Sequence, residues 1–375
     1  MFPAENYNDI YIFALLAITL LTGILYARGA AGQLQSEAYN AAMAPAICIA
    51  AALFLGTRPI SGVFIDMTTY DTAYRISSVT GTSNFTDWAF SSMLLFFSSN
   101  FESSTFFLVC ALIYLLPLLW LKRIHDNWAF AVILAHIGAF SFFSYGVNVI
   151  RHGMAASLLI AAVCNRDKKW LMVILATLSA GMHKAVLAPI AAFLAALLFN
   201  SAISMWACWA CWFGALIISW LSGGVISDRL MNFALLNSDD KLLQYLGGVG
   251  NDKGGFRWDF ILYSIVPLII TFALAGQSVR KDRVYRMLMM TYLLTNSFWL
   301  LVIYAAYSDR FAYLSWFLLP WLITYPFVPK SADPYGKASG PSQINELRLG
   351  MLAAALVAHF AFTFFMMQLY YKGRF

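Results

Sequence analysis

Long, nearly uncharged apolar runs recur from one end of the chain to the other, near residues 9–26, 39–57, 104–121, 128–146, 149–164, 169–183, 185–199, 203–221, 258–276, 286–306, 311–328 and 348–370. A helix of about 20 apolar residues spans the hydrocarbon of a bilayer, so the runs predict about twelve membrane-spanning helices. A β-barrel would instead show short segments of alternating polarity, which are absent here. The composition agrees with lipid as the solvent: 61% of the 375 residues are hydrophobic and 11% are charged. The expected fold is therefore all-α, a polytopic membrane helical bundle forming a single integral membrane domain over 1–375. No internal repeat is visible, which weighs against transporters built from inverted repeats.

Two longer polar stretches, 58–103 and 222–257, interrupt the apolar pattern. Both are too short for ordinary domains and read as extracytoplasmic loops with short amphipathic helices covering a site. Orientation follows from charge. The segments holding Arg28, Lys122–Arg123, Arg166–Lys169, Arg280–Arg286, Lys330, Lys337 and Arg348 carry 13 basic and 6 acidic residues, whereas the other side carries 11 and 12. The basic counts of the two sides are nearly equal, and the acids break the tie, giving sums of +7 and −1. The first set is then cytoplasmic and both termini lie outside, with Lys372 and Arg374 on the side the positive-inside rule disfavours. The net charge of +6 is thus explained by loop clusters, and a nucleic-acid partner is discarded.

The five cysteines, Cys48, Cys110, Cys164, Cys208 and Cys211, lie mostly inside apolar runs and imply neither a disulfide framework nor a zinc site. Cys208 and Cys211 form a C-x-x-C within WACWACWF, where small apolar packing is the expected role. The opening MFPAENYNDI lacks a basic region and reads as the start of a retained span rather than a cleaved signal.

On this topology costly polar residues gather at the outer ends of spans. Arg58 and Asp66 follow the second run, and Arg151 and His152 open the fifth after the turn Ser144-Tyr145-Gly146-Val147-Asn148. His183 and Lys184 occupy the next outer turn, and Asp309–Arg310 a later one. A single interfacial arginine is usually a snorkelling anchor, but a set drawn from four separate segments points to a hydrated pocket. The small residues Gly153, Ala155, Ala156 and Ser157 after Arg151 let another helix approach closely and would turn its guanidinium into protein.

Arginine matches phosphate oxygens bidentately and stays charged, so Arg58, Arg151 and Arg310 are candidates for holding a diphosphate, with His152 and Lys184 beside them. His183 could move a proton or donate to a phosphate oxygen. Asp66 is a candidate base, and equally a partner for Arg58 or Arg75. Asp66, Asp71, Asp239–Asp240 and Asp252 lack metal-ligand spacing, so neither a metal nor a cofactor is expected. Tyr70, Tyr74, Trp88, Tyr245, Phe256 and Trp258 suit sugar faces or an interfacial belt. Asn84-Phe85-Thr86 fits a glycosylation pattern that carries no weight alone.

The segment IRHGMAASLLIAAVCNRDKKWLMVILATLSAGMHKAVLAPI, Ile150–Ile190, resembles the EpsG-type and Wzy-like bacterial exopolysaccharide and O-antigen polymerases. The resembling features are Arg151 and His152 before a small-residue helix, the basic turn Arg166–Lys169, and His183 ahead of another apolar helix. Arg58-Pro59 with Asp66-x-x-x-Tyr70, and Asp309-Arg310-Phe311-Ala312-Tyr313, resemble the family further, although no Gly-Thr-Asp stands at Asp66. The resemblance reaches roughly 55–90, 145–195 and 305–325.

It implies a GT-C-like glycosyltransferase architecture acting without a metal on an undecaprenyl diphosphate-linked oligosaccharide at the outer face of the bacterial inner membrane. Arg58, Arg151, His152, Lys184 and Arg310 would bind the diphosphate, Tyr70 and Tyr313 the sugar, and Asp66, His183 and Arg151 would act in catalysis. A chain-length-regulating membrane protein is a partner expected only by analogy, alongside membrane lipid. Rival readings are a flippase of the same lipid-linked oligosaccharide, an O-antigen ligase or membrane acyltransferase, and a non-catalytic scaffold.

Overall fold

A computed structural model describes residues 2–28, 33–236, 255–305, 308–329 and 343–371, and all regular structure among them is helical. Among the described residues, five helices are long and apolar enough to cross a membrane: Ala4–Ala27, Ala38–Gly56, Ser103–Ile137, Met205–Ser222 and Leu347–Gln368. A sixth arises if the bent pair Phe140–Val147 and Ile150–Cys164 counts as one span. Fewer helices than the expected twelve meet that requirement among the described residues, for a physical reason. Apolar composition does not report helix continuity, so 104–121 and the start of 128–146 join into one 35-residue stretch, while the runs 149–164, 169–183 and 185–199 form helices too short to pass as spans by themselves.

Contacts divide the chain into two compact units, the first comprising Met1–Val186 with Phe327–Phe375 and the second Leu187–Pro326. In the first unit the helices are α1 (Tyr7–Ala27), α2 (Gln33–Gly56), α3 (Ile65–Thr80), α4 (Trp88–Asn100) and α5 (Ser103–Leu115). They continue with α6 (Ala129–Ile137), α7 (Phe140–Val147), α8 (Ile150–Cys164) and α9 (Lys169–Met182), and a C-terminal helix covers Gln343–Tyr371. The polar stretch 58–103 is therefore largely helical, in α3 and α4.

Helix α8 is the axis of this unit. It packs on α5, α7 and α9, and every residue from His152 to Cys164 is buried. Its small residues make that burial feasible: Ser179 of α9 donates to the Ala155 carbonyl at 2.6 Å, a distance that only short side chains between the backbones permit. Between α7 and α8 the chain bends by 118°. A Cβ on Gly153 would stand 2.7 Å from the Tyr145 carbonyl oxygen, so glycine is what lets the first turn of α8 fold back on α7. The C-terminal helix lies along α1 and is pinned by Thr363 donating to the Gly138 carbonyl at 2.6 Å.

The second unit contains α10 (Leu187–Phe199), α11 (Met205–Ser222), α12 (Val225–Leu236), α13 (Trp258–Ser264), α14 (Arg283–Leu301), α15 (Ser308–Trp316) and α16 (Leu319–Thr324). Helix α14 packs on α10 and α11 around buried Asn296, whose amide accepts from Trp212 Nε1 at 2.7 Å and donates to Ser315 Oγ at 2.8 Å. A buried amide so satisfied fixes helix register where apolar packing alone would allow sliding. Tyr245, Asp239–Asp240, Asp252, Lys330, Lys337, Lys372 and Arg374 lie outside the described residues.

Candidate functional site

Asp87 is the focus of the first unit's polar chemistry. It stands at the N-cap of α4, where an aspartate ordinarily accepts from the helix's first amides, yet its side chain makes no such bond. Instead the carboxylate, its side chain 4% exposed, serves other elements. Oδ1 accepts the Lys184 backbone N–H at 2.9 Å. Oδ2 forms an ion pair with Arg151 Nη1, and His183 Nδ1 lies 3.6 Å from the same oxygen. Burial pushes the Asp87 carboxyl upward, but His183, the Lys184 amide and Arg151 more than offset this and hold it below its usual value.

Three distant segments meet at this carboxylate because of how their helices end. His183 closes α9 in an extended conformation, which lifts its ring off the helix axis. Gly181, two residues before, has no side chain where a Cβ would lie 2.5 Å from the Trp88 ring and 2.8 Å from Ala89 Cβ, so α9 can rest directly on the start of α4. Arg151 sits in the first turn of α8, its guanidinium over the Phe85 and Phe90 rings at 4.7 and 5.6 Å. Its Nε lies 3.5 Å from the Tyr70 hydroxyl. Cation–π contact and an ion pair leave the fork only partly covered, and 22% of the Arg151 side chain is exposed. The buried His152 ring lies 5.3 Å from His183 and 5.3 Å from Tyr145.

The arrangement presents a half-exposed guanidinium, an imidazole in contact with a carboxylate, and the exposed Lys184. Such a set can bind an anion and exchange a proton beside it. Among the described residues no three His, Cys, Asp or Glu side chains gather as metal ligands would.

The Asp87 ion pair gives a pH-dependent stability of defined sign. A carboxyl depressed on folding contributes stability above its unfolded value of about 3.9, and that contribution is lost as pH falls through the lower folded value. Thermal unfolding of the native protein and Asp87→Asn should therefore differ above about pH 5 and converge in acid; a gap independent of pH would contradict the depressed carboxyl.

Arg58 occupies different surroundings. It is 4% exposed, lies between the Phe64 and Phe107 rings at 5.8 and 5.4 Å, and donates to the Leu55 carbonyl and, at 3.3 Å, to the Val147 carbonyl. A crevice beside it, lined by Cys110, Tyr114, Tyr145 and Ile150, is too narrow for water. Burial lowers its pKa to about 10, so it stays charged at neutral pH. Arg58 thus ties the end of α2 to the end of α7. Arg58→Met keeps the bulk but orphans both carbonyls, and should lower stability by about 1–3 kcal/mol in detergent unfolding; an unchanged midpoint would mean that the carbonyls find other donors.

The remaining candidates fall elsewhere. Asp66 is half-buried in the first turn of α3, where the helix dipole favours it, and Arg75 pairs with Asp71 at 2.7 Å. Tyr70 is buried at 6% exposure and stacks on Phe85 at 5.9 Å. In the second unit, Asp309 and Arg310 open α15, and burial raises the Asp309 carboxyl although Arg310 and Arg257 oppose it. Tyr313 is buried with its ring 5.7 Å from Trp316. Cys208 is buried, Cys211 exposed, and both are free thiols.

Comparison with known proteins is consistent with these features at the level of family. A family model described as the EpsG family matches residues 42–337. No curated protein and no solved structure matches the chain.

Proposed function

The chain belongs to the EpsG family, and from that premise we propose that it is an exopolysaccharide polymerase that joins lipid-linked oligosaccharide repeat units. The donor is a growing chain on undecaprenyl diphosphate in the outer leaflet of the bacterial inner membrane, and the acceptor is a sugar hydroxyl of a second lipid-linked unit. The architecture on this reading is GT-C-like, with the reacting groups on the outer side. The observation that carries the reading is the meeting of Arg151, His183 and Lys184 at buried Asp87.

Glycosyl transfer from a lipid diphosphate breaks the anomeric C–O bond and leaves its electron pair on the phosphate. Cations placed before the reaction stabilise that charge most strongly where little water competes. Arg151 has the exposure and the planar fork to meet a diphosphate oxygen, with Lys184 adjoining it, so that arginine rather than a divalent ion takes the charge. Arg58 holds the backbone from which Arg151 projects and adds a positive field. His183 or Asp66 accepts the proton of the attacking hydroxyl. Arg310 lies in the second unit, and its part in the reaction is judged by its own substitution.

The decisive experiment places purified protein in proteoliposomes with synthetic lipid-linked repeats. Glycans of several repeats still attached to the lipid are expected. Transfer of one finished chain to another lipid would make it a ligase, and movement across the bilayer without bond formation would make it a transporter. In cells, Arg310→Ala should collapse the polymer length ladder; a normal ladder would remove Arg310 from the reaction.

A further inference from the structure

Asp87 was invisible to motif reasoning, and its geometry suggests more than a structural ion pair. One carboxylate grips both the backbone and the ring of the same turn: Oδ1 takes the Lys184 N–H at 2.9 Å while Oδ2 faces His183 Nδ1 at 3.6 Å. The backbone bond prevents the turn from drifting relative to the carboxylate. The ring therefore has its Nδ1 edge directed at Asp87 and its Nε2 edge directed away. With 27% of the side chain exposed, the ring is open on one side to an incoming group. The separation of 3.6 Å is longer than a formed hydrogen bond, as is common before substrate draws catalytic groups together.

We propose that Asp87 is a positioning residue whose buried carboxylate fixes the His183 imidazole, so that the ring's Nε2 accepts the proton of the attacking sugar hydroxyl. This deepens the polymerase reading and rests on it. In the step, the hydroxyl proton passes to Nε2 and the oxygen's electron pair forms the new bond to the anomeric carbon. The old bond to the diphosphate breaks, its electron pair leaving with the phosphate, and the imidazolium returns its proton to solvent. Asp87 stays ionised throughout and stabilises the imidazolium. The charged and titratable groups facing the ring are Asp87 from α4, Arg151 and His152 from α8, and the adjoining Lys184. Arg151 shares Oδ2, which keeps the carboxylate charged and oriented.

The test compares native protein, Asp87→Asn and Asp87→Glu in proteoliposomes with lipid-linked repeats, and records 15N spectra of histidine-labelled protein with His183 assigned from His183→Gln. Asp87→Asn should lose about 100-fold or more in kcat, the ordinary worth of a positioned base, with KM for the donor little changed. The acidic limb of its pH–rate profile should move to lower pH, because an imidazolium without its carboxylate gives up its proton more readily. The His183 resonances should shift with it. Asp87→Glu, which keeps the charge, should restore part of the rate, and it carries the same readouts if the asparagine variant fails to fold.

A native-like kcat and acidic limb in Asp87→Asn, with the His183 resonances unmoved, would overturn the proposal even if the variant melts earlier. An unchanged profile in His183→Gln would transfer the base role to Asp66 and overturn it as well. If native protein joins no repeats, the polymerase reading fails, and unmoved His183 resonances would then reject the positioning role separately.

Discussion

Arg151→Ala is expected to abolish polymer formation and to lower stability by about 3 kcal/mol, the lower end of what removing one partner of a buried ion pair entails. The size follows from Asp87, which is 4% exposed and would keep only the Lys184 amide and the more distant His183. Those two survivors are why the upper end of the range is not expected. The loss of activity has a separate origin, in the half-exposed guanidinium over Phe85 and Phe90. A paired replacement, Arg151→Met with Asp87→Leu, separates the two effects. It leaves no orphaned charge and should regain most of the melting temperature while remaining inactive. A normal length ladder from Arg151→Ala would remove this arginine from the chemistry altogether.

Gly181→Ala is the second large effect, and it tests how α9 is seated rather than any charge. Its Cβ would meet Trp88 at 2.5 Å and Ala89 Cβ at 2.8 Å. The Trp88 ring is 55% exposed and can swing aside, but Ala89 is fixed to the α4 backbone, so α9 must retreat. Overpacking of this kind costs about 1–3 kcal/mol. The retreat carries His183 and Lys184 away from Asp87, and displacement of a reacting group by about 1 Å can reduce the rate about 100-fold. Gly181→Ala with Trp88→Ala should recover part of both losses in melting and in polymer yield. An alanine variant with native activity would show that the helices can slide without disturbing the site.

The sequence revealed the helical membrane fold because the energetic demand of hydrocarbon is written in composition. Arg151, His183 and Lys184, which meet at Asp87, stood out in the sequence because charge beside apolar helices is expensive. Small residues after Arg151 also announced the close packing seen around α8. The breaks near Asn148 and His183 were legible as the ends of apolar runs, whereas the break at Gly138 inside the run 128–146 was not, since it costs no hydrophobicity. Asp87 escaped for a different reason. An aspartate before Trp88-Ala-Phe reads as an ordinary helix cap, and only tertiary packing turns its side chain elsewhere. Likewise nothing local marks Arg58 as an internal tie, because its acceptors are carbonyls, which every residue possesses.

That tie bears on what the turn demands of its surroundings. Where a chain turns between helices, the released carbonyls need donors from solvent or from the protein itself. Here a guanidinium reaches the Val147 carbonyl from inside the protein, beside a crevice that admits no solvent. The turn therefore needs no water or lipid headgroup to satisfy this carbonyl.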